Sequence, residues 1–307
     1  LVTRKSGFNP SPPDHAPGKS YAAGGSFLTG DGAAVKIDGN GVKEDEELRP
    51  FSEITAEELS GLRFILTDID DTITSGGKLT AEAYSAMWAL HEAGFGVVPV
   101  TGRPAGWCSL IVREWPVAGV VGENGAFAFY LRDGKFRELR HPNVSERSHE
   151  MLKAVTEAVL KEVPGSRLSA DQFSHIYDLA IDYCEDEPKL SIADAEKIAE
   201  ICRSFGAQAK VSSIHVNTWF GDYSKREMAL LFFKDVLGAE DPKRQILYFG
   251  DSPNDESMFE YFPLSCGVAN IRPFAHAISH LPAFVTEREG GRGFAEAAAV
   301  ILDRKAR

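Results

Sequence analysis

Short apolar runs punctuate the chain from residue 62 onward: LRFILT (62–67), GVVPV (96–100), AGVV (118–121), QILYF (245–249), CGV (266–268) and AFVT (283–286). Each is too brief for a helix and lacks the alternation of a half-exposed strand, so each predicts a strand buried on both faces. Between the first two, TAEAYSAMWALHEAGF (80–95) sets Ala83, Met87 and Leu90 on one stripe behind Thr80, a good N-cap, and predicts a helix. KREMALLFFKDVLG (225–238) repeats the pattern, with Ala229, Phe232, Phe233 and Val236 at i, i+3, i+4 and i+7 and Gly238 placed to end the helix. Strand and helix in alternation predict an α/β fold with a doubly wound, mostly parallel Rossmann-like core, in which ligands bind beyond the carboxyl ends of the strands.

Residues 131–222 break that rhythm. Helical runs at 150–163 and 192–205 lie among β-prone stretches at 179–184, 208–212 and 213–220, which predicts an inserted α+β domain. The core is therefore expected at 59–130 and 223–307, with the insertion at 131–222. Before residue 59 the chain is rich in Pro, Gly, Ser and charge without a period, and 1–58 is expected to be a flexible arm.

Charge and composition narrow the function. With 33 basic and 45 acidic side chains the formal net charge is −12, and no basic block offers a nucleic-acid footprint. A small-molecule partner is expected instead. The four cysteines, Cys108, Cys184, Cys202 and Cys266, are scattered without zinc-type spacing and read as reduced thiols. No apolar run is long enough for a membrane span, so the expectation is a cytoplasmic protein, monomer or homodimer. Leu1 rather than Met opens the chain, which leaves room for a lost leading segment.

The chemistry gathers at strand ends. RFILTDIDDT (63–72) places Asp68, Asp70 and Asp71 directly after an apolar strand, with Asp68 and Asp70 on one side of an extended chain. Two unit charges about 4 Å apart repel by roughly 4 kcal/mol at an effective dielectric near 20, so crowded carboxylates imply a cation. One of the pair can attack an electrophile or bind metal while the other moves a proton. ILYFGDSPNDESMF (246–259) empties another strand into Gly250, Asp251, Asn254 and Asp255, whose oxygens suit Mg²⁺. Thr101, Gly102 and Arg103 end the second strand, where a hydroxyl and backbone N–H groups can grip a phosphoryl oxygen. Lys225 opens a helix whose N-terminus itself attracts an anion. His276 and His280, four apart, read as ordinary helix histidines, because Ala277 stands where a zinc hydrolase would carry Glu.

Taken in order, Asp68-x-Asp70-x-Thr72, Thr101, Lys225 and Gly250-Asp251-x-x-Asn254-Asp255 resemble the four motifs of the haloacid dehalogenase superfamily of phosphohydrolases. The resemblance spans roughly 61–302. Residues 72–79 are too few to hold a cap, so the insertion follows the second motif. That position, with GENGA (122–126), GVAN (267–270) and TEREGGRGFAEA (286–297), is similar to the type IIB or Cof-like branch with its C2B cap, whose members are mostly sugar-phosphate phosphatases. Asp71 departs from the Gly of many relatives.

The resemblance implies that Asp68 attacks phosphorus to give an aspartyl-phosphate and that Asp70 serves the leaving alcohol and then the water. It implies that Thr101 and Lys225 hold phosphoryl oxygens, and that Mg²⁺ sits among Asp68, the Asp70 carbonyl and Asp251 with Asp255 close by. Gly102, Arg103, Asn124 and Asn254 complete the expected substrate contacts from the core, with Asp171, His175 and Trp219 as candidates from the insertion. A phosphomutase or a non-catalytic sugar-phosphate sensor would retain the same motifs. A response-regulator receiver is disfavoured by Gly122 and Glu123 on the middle strand and by the long insertion.

Overall fold

A computed structural model describes residues 48–145, 147–212 and 214–306. Along the first part run β1 (Phe64–Thr67), a small hairpin of β2 (Thr74–Ser75) and β3 (Lys78–Leu79), α1 (Ala81–Glu92), β4 (Gly96–Pro99) and α2 (Ala105–Glu114). Three strands follow, β5 (Val120–Gly122), β6 (Phe127–Arg132) and β7 (Lys135–Arg140). The insertion contributes α3 (Ser148–Glu162), β8 (Arg167–Leu168), β9 (Asp178–Asp182), α4 (Ile192–Ser204), β10 (Gln208–Val211) and β11 (His215–Trp219). The chain then returns through α5 (Lys225–Asp235), the short α6 (Pro242–Gln245), β12 (Ile246–Gly250), α7 (Glu256–Tyr261), β13 (Ser265–Gly267), β14 (Phe284–Val285) and α8 (Gly290–Ala306).

The central sheet has the order β14-β13-β12-β1-β4, and each pairing in it is parallel. Its two faces follow the period of two. Ile65, Val97, Leu247 and Phe249 pack against Met87, Leu90, Ile111 and Phe294 from α1, α2 and α8. Phe64, Leu66, Val98, Ile246 and Tyr248 face Met228, Phe232, Phe233 and Phe259 from α5 and α7. Burial on both faces explains why these strands read as unbroken apolar runs. The helix starts fall where expected: Thr80 accepts from Ala83 N at 3.2 Å, and Ser224 caps α5 by accepting from Glu227 N at 3.3 Å.

Three expectations need correction. AGVV does not extend the parallel sheet. It joins the sheet edge only through one bridge, Val100 to Val121, and the bonds Ala118 N to Val97 O and Thr101 N to Val121 O, while β5 forms its ladder antiparallel with β6. The expected boundary at 130/131 cuts a hairpin, because β6 pairs with β7 along its full length, from Phe127–Arg140 to Arg132–Lys135. Asp133 and Gly134 turn this hairpin at φ 53° and 68°, the left-handed pair that a tight hairpin turn uses. The expected arm ends too late. Residues 1–47 lie outside the described residues, but Pro50 bridges to Val285, and Phe51 and Ile54 are fully buried in the core, because they complete an apolar surface against Phe249 and Phe284.

The insertion is a four-stranded antiparallel sheet, β10-β11-β9-β8, with α3 and α4 on one face. Leu179, Ile181 and Val216 point to those helices, among Leu152, Val155, Ile198 and Cys202. The residues between them face the other way. All four cysteines are free thiols. No helix among the described residues is long and apolar enough to cross a membrane.

Candidate active site

Register alone gathers the motifs. Thr67 pairs with Phe249 on one side and Pro99 on the other, so the residues that follow, Asp68, Gly250-Asp251 and Thr101, leave the sheet at one edge. Asp68 N donates to Phe249 O at 2.9 Å, which carries the pairing one residue beyond the strand. Lys225, the first residue of α5, donates from Nζ to Asp68 Oδ1 at 2.7 Å, with both side chains largely buried. Gly125 makes this approach feasible. At φ 106° a Cβ there would collide with Ser224 O and stand 2.8 Å from Lys225 N, so the loop can press on the helix start only without one.

Burial pushes the Asp68 carboxyl up to about 6; Lys225 opposes this, while Asp255 and Asp70 add to it. Asp251 is pushed further, to about 8, by burial and then by the charges of Asp255 and Asp68. It accepts from Thr72 Oγ1 at 3.2 Å and from Asn270 Nδ2 at 3.2 Å. Thr101 is buried, donates from N to Val121 O and accepts at Oγ1 from Arg103 N at 3.1 Å.

Other expected residues are engaged differently. Asp255 Oδ1 accepts from Tyr248 OH at 2.5 Å, and its Oδ2 accepts from Asp251 N and Ser252 N at 3.0 and 3.2 Å. With both oxygens taken it braces the loop that aims Asp251, and a Cβ at Gly250 would stand 2.6 Å from it. The Asp70 carboxylate is clasped by Arg103, Nη2 to Oδ1 at 2.5 Å and Nε to Oδ2 at 3.1 Å, and the guanidinium lies 4.2 Å over the Trp107 ring. Asp71 is exposed at φ 54° and accepts from Gly76 N, so it shapes the β2–β3 hairpin rather than the cleft. Asn124 donates from Nδ2 to Asp178 Oδ2 at 3.1 Å, which directs its amide to the insertion. His276 and His280 do not share an α-helix, because the first ends a 3₁₀ segment and the second follows it.

Sequence reasoning passed over Glu123 as a site residue. Its Oε1 accepts from Ala105 N and Ile176 N at 2.9 and 2.8 Å, and its Oε2 from Tyr177 N and Asp178 N at 2.5 and 3.2 Å. One core carboxylate thus holds the insertion by three consecutive backbone N–H groups. Burial, then the charge of Asp178, raises its pKa to about 7. Asp178 in turn meets His175 Nδ1 at 2.5 Å, and His175 Nε2 lies 3.7 Å from Asp171. A Glu preceding an Asn-Gly turn was the available signal. Lys210 on β10 was also missed. Its Nζ reaches across to Asn254 O at 3.4 Å, and burial, then Lys225, lowers its pKa to about 8.

Two places could hold a cation. Glu123, His175 and Asp178 offer ligand atoms within 4.8 Å of one another, the one trio of this kind among the described residues. Its oxygens are already satisfied by N–H donors, so it stands as a closed network without a metal. The strand-end site is under-balanced instead: Asp68 and Asp251 crowd beside a single paired lysine, and burial, then the charges of Asp255 and Asp68, raises Asp251 to about 8. Hard oxygen donors with excess negative charge fit Mg²⁺. Asp68, Asp251 and the Asp70 carbonyl would hold it, since the side chains of Asp70 and Asp255 are engaged elsewhere.

The model of the haloacid dehalogenase-like hydrolase family matches residues 65–161. No curated protein matches the sequence. Among solved structures, a protein of Thermoplasma acidophilum is similar at TM-score 0.62 and 18% identity over 78% of this chain and 98% of that one. The sucrose-phosphatase of Synechocystis, solved with sucrose and phosphate, is similar at TM-score 0.56 and 15% identity over 78% and 97%. A sugar phosphatase of subclass IIB is similar at TM-score 0.53 and 15% identity over 73% and 93%. These likenesses are in fold: a parallel core with a cap inserted after the second motif. Residues 65–161 thus match the haloacid dehalogenase-like hydrolase family, and the whole fold resembles that of capped hydrolases that include a subclass IIB sugar phosphatase.

Proposed function

We propose that the protein is a Mg²⁺-dependent phosphatase that hydrolyses a small phosphate monoester, a sugar phosphate, through an aspartyl-phosphate on Asp68. The observation that carries this reading is the buried Lys225–Asp68 pair, 2.7 Å apart at the carboxyl end of β1, with Asp70 two residues on and Asp251 just past the adjoining β12. An Asp with one oxygen fixed by a lysine is oriented for attack, and the lysine can then follow the incoming phosphoryl oxygens.

Asp68 attacks phosphorus as the ester oxygen departs, and that oxygen takes a proton from Asp70. Asp70, now a carboxylate, removes a proton from water, which attacks the aspartyl-phosphate and restores Asp68. Arg103 clasps Asp70 in its carboxylate form, the form that takes the proton from water. The Thr101 hydroxyl and Lys225 hold phosphoryl oxygens, with Gly102, Asn124 and Asn254 lining the space around them. When bound at Asp68, Asp251 and the Asp70 carbonyl, Mg²⁺ would supply charge neutralisation and Lewis acidity at the phosphoryl group.

A sugar phosphate is favoured by the likeness in fold to the sucrose-phosphatase and the subclass IIB sugar phosphatase. Four free thiols and the acidic net charge suit a cytoplasmic protein acting, as monomer or homodimer, on a small ester rather than a nucleic acid. The test is phosphate release from a panel of sugar phosphates and p-nitrophenyl phosphate, with Mg²⁺ or chelator, for wild type and Asp68→Asn. Release should require Mg²⁺ and fall about 10⁴-fold or more in the variant. Full activity in Asp68→Asn would refute the nucleophile.

A further inference from the structure

The phosphoryl end of a substrate is accounted for at the core edge, which leaves its alcohol end to the cap. Register identifies the surface that meets it. In β9, β11 and β10 the residues Leu179, Ile181 and Val216 turn to the cap helices, so Asp178, Ala180, Asn217, Trp219, Gln208 and Lys210 share the opposite face. That face looks onto the core. At one end Asp178 meets Asn124, and further along Lys210 Nζ reaches the Asn254 carbonyl in the loop that carries Asp251.

Lys210 differs from the other cation here. Lys225 is paired with Asp68, whereas no carboxylate among the described residues lies within ion-pair distance of Lys210, which donates to that carbonyl at 3.4 Å. Asp255 and Asp68 act on this ammonium only from beyond pairing distance, so a half-buried cation remains without a direct partner, and an anion arriving beside it recovers part of that cost. On the same face the indole N–H of Trp219, 8% exposed, has no hydrogen-bond partner either. An open buried donor and a cation without a direct ion pair on one cap face fit a polar, negatively charged occupant between cap and core.

We propose that Lys210 binds a second acidic group, a carboxylate or another phosphate, on the alcohol part of the substrate, so that the preferred esters carry two anionic groups. This rests on the phosphatase reading above. A neutral hydroxyl would need no ammonium, and an Asn or Gln at this position would serve it equally.

The test compares kcat/KM for glucose phosphate, phosphogluconate and fructose bisphosphate, with p-nitrophenyl phosphate as a reference, in wild type, Lys210→Met, Lys210→Gln and Lys210→Arg. Wild type should prefer one or both acidic esters over glucose phosphate, and which one it prefers separates carboxylate from phosphate. A charge-assisted hydrogen bond contributes roughly 10- to 100-fold, so the acidic-to-neutral ratio should fall by about that factor in the Met and Gln variants and survive in Arg. Two uncharged replacements guard against one that fails to fold. An equal loss on every ester, or no preference in wild type, would overturn the role of Lys210 while leaving the phosphatase standing. No hydrolysis of any ester by wild type would sink both.

Discussion

The core edge and the cap face meet across one cleft and are built on opposite terms. At the core edge nearly every polar atom is engaged: Asp68 with Lys225, Asp70 with Arg103, Asp251 with Thr72 and Asn270, Asp255 with Tyr248 and two backbone N–H groups. On the cap face Lys210 and the Trp219 indole are left nearly unsatisfied. A site that performs one fixed reaction gains from pre-set geometry, because reorganisation at the moment of reaction is avoided. A surface that selects among alcohols keeps its donors for the ligand.

The largest expected effect on stability comes from the core. Phe51→Ala empties a fully buried space against Phe249 and Phe284 and should cost about 4 kcal/mol, read as a lower midpoint in denaturant with kcat per folded molecule unchanged. Unchanged stability would mean that the segment before β1 is not part of the core. Glu123→Ala strikes the tie between the two regions. It strands four backbone N–H groups and should cost about 3 kcal/mol, with KM for sugar esters rising more than KM for p-nitrophenyl phosphate as the cap loosens. Equal changes for both substrates would argue that the clasp serves the fold alone.

A smaller effect separates the regions by pH. Asp68 and Asp251 have folded values of about 6 and about 8 against 3.8 for the free side chain. The folded chain therefore keeps protons that the unfolded chain has released, and this stabilisation is full below the unfolded value and fades as pH rises through the folded ones. Metal-free protein should lose several degrees of Tm between pH 5 and pH 9, with the steepest loss through the two folded values and Mg²⁺ restoring most of it at the alkaline end. A flat profile in chelator would contradict the excess charge at the core edge.

The same contrast explains what could be read from the chain. Strand ends concentrate chemistry into contiguous letters, so Asp68, Asp70, Thr101, Lys225 and Asp251 were legible, and parallel register brings them together without further information. Roles that depend on side-chain direction were not. Asp255, expected close to the metal, has both oxygens engaged by its own loop and Tyr248, and Asp71, one of three carboxylates crowded after β1, accepts from the β2–β3 hairpin. Lys210 and Trp219 lie on one cap face through cross-strand register, which no local pattern encodes. The β6–β7 hairpin was missed because β7, KFRELR, is largely exposed and charged, although Asp133-Gly134 marked its turn. Phe51 and Ile54 sit beside a Pro- and charge-rich stretch whose composition masked two core residues.

The most direct measurement is a single experiment on Asp70→Asn with p-nitrophenyl phosphate and Mg²⁺, quenched in acid. Nitrophenolate departs without a proton, so Asp68 can still be phosphorylated, but the water that should clear it lacks its base. Expected is a burst of about one nitrophenol per active site, then turnover roughly 100-fold or more below wild type, with phosphate on the peptide that contains Asp68. Steady turnover without a burst, and an unmodified Asp68 peptide, would contradict the covalent mechanism.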